Sequence, residues 1–212
     1  GALEDTINET STLTTEIDTL KLTGTSTNLT AVTRSLSGSL AYVENLDISA
    51  TGSSKLNLTG NAAANVLTGN SAANILNGST GNDTLGGGLG NDSLTGGTGI
   101  DYFLFNTTLG STNIDTLTDF VHGTDKIVLD DDIFTALGMT GTTTGTALTT
   151  SRFQLGTAAN DTADRIIYDQ TSGKLYYDAD GNTSGGVAAV QLALIGVLTH
   201  AGLTASDFLV AA

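Results

Sequence analysis

Asp83, Asp92 and Asp101 recur at nine-residue intervals, each two places after a glycine (Gly81, Gly90, Gly99) and two places before a large apolar residue (Leu85, Leu94, Phe103). Carboxylates and the carbonyls of tight turns are both hard oxygens. Gathered in number they suit calcium, which takes roughly six to eight oxygens in forgiving geometry, better than magnesium, which insists on octahedral packing and retained water. The chemistry on offer is cation binding.

The same spacing sets the elements that must position these groups. Residues 51–104 read in nines as TGSSKLNLT, GNAAANVLT, GNSAANILN, GSTGNDTLG, GGLGNDSLT and GGTGIDYFL, with Leu58, Leu67, Leu76, Leu85, Leu94 and Phe103 at the eighth place. Glycine tolerates positive φ and close backbone approach, so the start of each glycine-rich line is a tight turn. The end of each line is a short strand whose large residue points to one side. Two turns and two strands make one coil, so vertical neighbours are eighteen residues apart and alternate lines occupy opposite edges. Adjacent coils of a parallel sheet lie ~4.8 Å apart, which sets Asp83 beside Asp101. Two carboxylates at that distance repel by ~1 kcal/mol in water and ~3 to 4 kcal/mol at an effective dielectric of ~20, so a cation must lie between them.

Through GSTGND, GGLGND and GGTGID the segment resembles the repeats-in-toxin (RTX) family, whose nonapeptide is G-G-x-G-x-D-x-U-x; in the first of these Ser79 takes the place of the second glycine. The resemblance implies an all-β fold built on a right-handed parallel β-roll at 51–104, with an irregular N-terminal cap at 1–50 and a β-rich C-terminal cap carrying short helices at 105–212. It also implies the ligands, because in RTX rolls one turn offers the carbonyls of its first and third places with its Asp, and the stacked turn those of its second and fourth places with its Asp. Here that sets Gly78, Thr80 and Asp83 against Gly97, Gly99 and Asp101, and on the other edge Gly69, Ser71 and Asn74 against Gly88, Gly90 and Asp92. Gly81, Gly87, Leu89, Gly96 and Thr98, from the same three turns, complete the candidate set. The second site has an amide where the pattern has a carboxylate, so it is expected to be weaker or empty. GNAAAN and GNSAAN, with Asn65 and Asn74, read as coils that have lost most of the ligand charge, a metal-free solenoid with Asn ladders.

Ahead of the repeats, GALEDTINETSTLTTE is unpatterned and reads as flexible or partly ordered, and IDTLKLTG reads as a strand. Leu29, Val32, Leu36, Leu40 and Val43 recur at three- and four-residue steps behind Asn28, which predicts a capped helix. VENLDISATGSSKLNLTGN alternates into the first nonapeptide and is similar to the segment that leads into the roll in large secreted adhesins and surface-layer proteins; it would cover the open end of the solenoid.

Beyond the repeats, YFLF, DTLTDF and DKIVL predict strands, with Tyr102, Phe103, Phe105 and Phe120 plugging the roll. The blocks D-x-F-x-F, D-x-x-x-D-F and G-x-D-K-I resemble RTX proteins of the serralysin type, in which the positions of Asp115 and Asp125 bind the last calcium. The competing reading is that these acids cap turns. DDDIFTALGM predicts one short helix with Asp130, Asp131 and Asp132 in its first turn, and GTTTGTALTT a loop. FQLG, DRIIYD, KLYYDADG and VQLALIG predict strands, with residues 170–173 as a hairpin turn. Asp178, Asp180 and Asn182 begin like an EF-hand loop, but Thr183 replaces its glycine and Ala189 its bidentate Glu, leaving a polar turn or a weak extra calcium. The closing LTASDFLVAA resembles the uncleaved type I secretion signal of RTX proteins.

The net charge of −15, with no basic patch, excludes nucleic acid as a partner and disfavours anionic membranes. No Cys means no disulfide and no thiolate-zinc site. No run approaches the ~20 apolar residues of a transmembrane segment. A first residue of Gly rather than Met points to a trimmed or excised fragment. His122 and His200 are in no H-E-x-x-H, no G-x-S-x-G occurs, and both histidines read as ordinary surface residues, so catalysis is not expected. The expected function is a calcium-binding, calcium-folded module of a secreted, extracellular bacterial protein that uses type I secretion machinery. The alternatives are a calcium-dependent assembly domain of a cell-surface layer or adhesin, self-associating there, and the carrier domain of a secreted hydrolase.

Overall fold

The computed structural model describes residues 4–8, 18–23, 32–36, 43–196, 200 and 202–212. It divides into two compact units, Gly1–Phe103 and Leu104–Ala212, both built from strands, with no helix longer than a three-residue 3-10 turn among the described residues.

The first unit holds β1 (Glu4–Asn8), β2 (Thr19–Thr23), β3 (Val32–Ser35), β4 (Asn45–Asp47), β5 (Leu56–Thr59), β6 (Val66–Thr68), β7 (Ile75–Asn77), β8 (Thr84–Gly86), β9 (Ser93–Thr95) and the start of β10 (Tyr102–Phe105). Alternate nonapeptide strands pair in parallel. Leu67 lies beside Leu85 and Leu85 beside Phe103 in one sheet, and Leu58 beside Leu76 and Leu76 beside Leu94 in the other. The vertical step is thus eighteen residues, as the pattern requires. All six of these side chains are at most 1% exposed, and each contributes about 1.5–3 kcal/mol by leaving water.

The ladders continue below the nonapeptides with longer steps. β4 pairs with β6, Leu46 beside Leu67; β2 pairs with β4, Leu20 beside Leu46; and β3 pairs with β5, Arg34 beside Leu58, all in parallel. Leu20, Leu22, Leu46 and Ile48 are buried and extend the same apolar column. The lowest strand of this ladder, β1, runs antiparallel to β2.

Two expectations change here. The residues described within the predicted helix, 32–36 and Val43, include no helix: Val32–Ser35 is β3, and the remainder of that stretch lies outside the described residues. Its helical spacing was a weak signal against β-branched Val32 and Thr33 and the ready-made edge of β5. Within the stretch read as flexible or partly ordered, Glu4–Asn8 forms a strand, and the rest of it lies outside the described residues.

The second unit continues with β11 (Asp115–Leu117), β12 (Lys126–Asp130), β13 (Thr146–Ala147), β14 (Phe153–Leu155), β15 (Ile166–Asp169), β16 (Lys174–Tyr177), β17 (Val190–Ile195) and β18 (Phe208–Ala211). One sheet runs β14, β15, β16, β17, β11, and another runs β12, β18, β13. Residues 170–173 turn the antiparallel hairpin of β15 and β16, as their sequence predicts. Phe134 packs edge-on against Tyr177 with ring centroids 5.0 Å apart, over a core that includes Leu137, Ile166, Leu175, Leu192, Phe208 and Val210.

DDDIFTALGM does not make the single helix expected of it. Asp130 ends β12, its Oδ1 accepts the Asp132 N–H at 2.9 Å, and only Thr135–Leu137 forms a 3-10 turn before left-handed Gly138. A short Asp side chain that bonds the backbone two places on closes a turn more readily than it starts a helix. Two residues of GTTTGTALTT, Thr146 and Ala147, form the short edge strand β13 rather than loop.

Candidate metal centre

The turns between strands stack as tightly as the strands. Residues 60–65, 78–83 and 96–101 line one edge of the roll, and 69–74 and 87–92 the other. Thr80 and Thr98 form a parallel bridge, and the Gly81 N–H donates to the Thr98 carbonyl at 2.9 Å. On the opposite edge the Leu89 N–H donates to the Asn70 carbonyl at 3.0 Å, while the Leu89 side chain is exposed.

Such stacking leaves no room for side chains at the glycine places. Gly97 and Gly99 have φ of +101° and +143°, and a Cβ on either would strike the carbonyl oxygen of the residue eighteen places earlier, Ser79 or Gly81. Gly88 and Gly90 meet Asn70 and Ala72 in the same way. Ser79 holds φ +81° and is the one described non-glycine residue with positive φ. Gly78, Gly87 and Gly96, at first places, must be glycine for another reason. A Cβ there would collide with Oδ2 of the Asp five places on in the same turn, Asp83, Asp92 and Asp101 respectively.

The three carboxylates are nearly fully buried, at 0%, 2% and 1% exposure. Each uses Oδ1 to hold the coil beneath: Asp83 accepts from the Asn65 N–H at 2.7 Å, Asp92 from the Asn74 N–H at 2.7 Å, and Asp101 from the Asp83 N–H at 2.9 Å. Their Oδ2 atoms point into the turns. Asp83 Oδ2 is buried with no hydrogen-bond donor. Burial pushes the Asp83 carboxyl up to about 6, against the Asn65 N–H, and the charge of Asp101 adds to the rise. A buried, unsatisfied carboxylate next to a second one is a demand for positive charge.

The oxygens present fit calcium. Asp83 and Asp101 would hold it with the turn carbonyls of Gly78, Thr80, Gly97 and Gly99, which the stacking brings to one edge. No group of three His, Cys, Asp or Glu side chains that could hold a metal occurs among the described residues, so most of the oxygens must come from the backbone.

The other edge is different. Gly69 and Ser71 lie in the turn beneath Gly87, Gly88 and Gly90, but the Asn74 amide is already engaged. Its Oδ1 accepts the Asn70 N–H at 3.0 Å and its Nδ2 donates to the Leu56 carbonyl at 2.6 Å. That edge therefore offers a single carboxylate, Asp92.

Asp115 and Asp125 belong to the second unit and are both buried. Asp115 starts β11 beside β17. Asp125 Oδ2 accepts the Val121 N–H at 2.8 Å and closes the turn 121–125. Asp178 and Asp180 likewise serve their own loop: Asp178 Oδ1 accepts from the Gly181 N–H at 2.9 Å, and Asp180 Oδ2 from the Val187 N–H at 2.8 Å.

One pair was hidden in the sequence. His122 is exposed, but its Nδ1 lies 2.9 Å from Oδ2 of fully buried Asp207, which also accepts from the Thr204 and Gly123 N–H groups at 2.7 and 2.9 Å. Burial alone would raise the Asp207 carboxyl; the Thr204 and Gly123 N–H groups and the His122 ring hold it below the ordinary range. Eighty-five residues separate the partners, so no local signal could have joined them.

Comparison with known families agrees with this geometry. The RTX calcium-binding nonapeptide repeat, in four copies, matches residues 57–85 and 68–103. No curated protein matches the chain.

Proposed function

Because the coils of this chain are RTX calcium-binding repeats, we propose that the first unit is a calcium-folded module of an exported bacterial protein, without catalytic activity of its own. The observation that carries the reading is the stacked pair Asp83 and Asp101, with Asp83 Oδ2 buried and without a donor. Calcium would supply the charge that lets both carboxylates stay ionised inside the roll. Extracellular-type sites bind at ~0.1 to 1 mM, so a low-calcium cytosol leaves the acidic coils loose and the outside sets them. At ~100 times Kd one site adds ~2.7 kcal/mol, a large share of the stability of a small domain.

Export through a type I machinery fits the second unit. The tail resembles its secretion signal, yet Leu203, Phe208 and Val210 are buried and β18 lies between β12 and β13. An exporter would engage that segment before the unit folds. Among the described residues no helix is long and apolar enough to cross a membrane. The absence of catalysis is supported by a sequence with neither H-E-x-x-H nor G-x-S-x-G. Far-UV circular dichroism in EGTA and after adding millimolar calcium tests the proposal. A cooperative gain of β signal is expected, and a spectrum and melting curve unchanged by chelation would end it.

A further inference from the structure

The coils of the roll are not equivalent. Residues 51–77 contain no Asp or Glu, whereas the next two dozen residues contain Asp83, Asp92 and Asp101. In the acid-free coils the work of a bridging cation falls to asparagine. Asn61 Nδ2 donates to the Val43 carbonyl at 3.0 Å, Asn65 Nδ2 to the Glu44 carbonyl at 2.9 Å, and Asn74 Nδ2 to the Leu56 carbonyl at 2.6 Å. Asn70 Nδ2 donates both to Thr51 Oγ1 at 2.7 Å and to the Ser54 carbonyl at 2.8 Å. The acceptor ends are used as well: Asn65 Oδ1 takes the Asn61 N–H at 2.8 Å, and Asn74 Oδ1 takes the Asn70 N–H.

An amide carries its own donor and a carboxylate does not. Asn65, Asn70 and Asn74 are at most 4% exposed, so their side-chain amides join turn to turn in a buried interior, where an ion would otherwise be needed. These coils also surround a complete apolar column of Leu46, Ile48, Leu56, Leu58, Leu67 and Leu76.

We infer that residues 45–77 form a cation-independent base on which the acidic coils 78–103 are assembled by calcium. The base presents two backbone donors to the first incoming acids: the Asn65 N–H meets Asp83 Oδ1 and the Asn74 N–H meets Asp92 Oδ1. Asp101 then docks on the Asp83 N–H, which creates the two-carboxylate site. Ordering of the charged coils runs upward from a template that is already in register. This inference rests on the calcium reading above, and deepens it by saying which coils obey calcium.

Hydrogen exchange of the whole chain, resolved by residue, separates the two. In EGTA the amides of Ile48, Asn70 and Ile75, whose acceptors Thr68 O, Asn74 Oδ1 and Asn57 Oδ1 all lie in the base, should exchange at least roughly tenfold more slowly than those of Asp83, Thr98 and Tyr102. Millimolar calcium should then slow the upper set and leave the lower set nearly unchanged. If both sets exchange freely in EGTA and gain protection together, the base does not exist although the calcium reading stands. If both sets are protected in EGTA and calcium changes neither, the calcium reading itself falls and the inference with it. The double variant Asn65→Asp with Asn74→Asp removes the amide donors and adds the missing charges. Its base should lose protection in EGTA and recover it in calcium, and full protection in EGTA would overturn the role given to the amides.

Discussion

Replacing Asp83 by Asn should stabilise the roll in the absence of calcium and not in its presence. Without the ion, the ionised Asp83 is a cost to the folded roll, because burial pushes its carboxyl from the ordinary 3.8 up to about 6. At about 1.36 kcal/mol per unit, the shift corresponds to roughly 3 kcal/mol at neutral pH that the roll loses by keeping this group ionised in a buried place. An amide of the same shape removes that cost. Its NH2 group must find a carbonyl in the coil beneath, as those of Asn65 and Asn74 do. Calcium offsets that gain, since half of the two-carboxylate site is gone and ~2.7 kcal/mol of ligand linkage at ~100 times Kd goes with it. Urea denaturation of wild type and Asp83→Asn, each in EGTA and in millimolar calcium, reads both effects. The variant should have the higher midpoint in EGTA and lose that lead in calcium. Loss of stability in both buffers by a similar amount would refute the claim that Asp83 is held for a cation.

Three further outcomes are expected. With calcium removed, the first unit should lose stability as pH rises from about 4 to 6, since a raised folded pKa means that the folded state holds the Asp83 proton more tightly, and Asp83→Asn should flatten that slope in a pH series of denaturation midpoints. Asp207 has the opposite sign: its depressed carboxyl stabilises the second unit above the ordinary carboxylate range and loses that contribution as pH falls through it, so Asp207→Asn should cost roughly 1–3 kcal/mol at neutral pH, read as a lower melting temperature. Ser79→Gly should raise stability in calcium by up to about 1 kcal/mol, because φ +81° is strained for serine and free for glycine, and a destabilised variant in thermal melts would show that the strain was misjudged.

The charged coils were legible in the sequence because one period carries everything: the turn glycines, the acids and the column Leu58 to Phe103 repeat in step. The vertical pairing of Leu67 with Leu85, and of the Asp83 N–H with Asp101 Oδ1, is that period in three dimensions. Below the repeats the steps lengthen to twenty-one, twenty-four and twenty-six residues, and a ladder with unequal steps has no period to find. Hence the three- and four-residue spacing of Leu29, Val32, Leu36, Leu40 and Val43 predicts a helix where Val32–Ser35 instead pairs with β5. The missing ligand charge of the Asn coils is plain in the sequence, but not which carbonyls their amides reach, because those partners lie sixteen to twenty-one residues back. In the second unit, Asp130 and Asp207 show the same limit at two ranges. The first settles a turn within two residues of itself, and the second waits for a histidine far along the chain.

The most direct test is to locate the cation. Crystals of the chain grown in calcium, with anomalous data to identify the metal, should show an ion at about 2.3–2.6 Å from Asp83 Oδ2 and from Asp101, between turns 78–83 and 96–101. A well-ordered map in which those two carboxylates share no ion at saturating calcium would contradict the assignment of this edge as the metal centre.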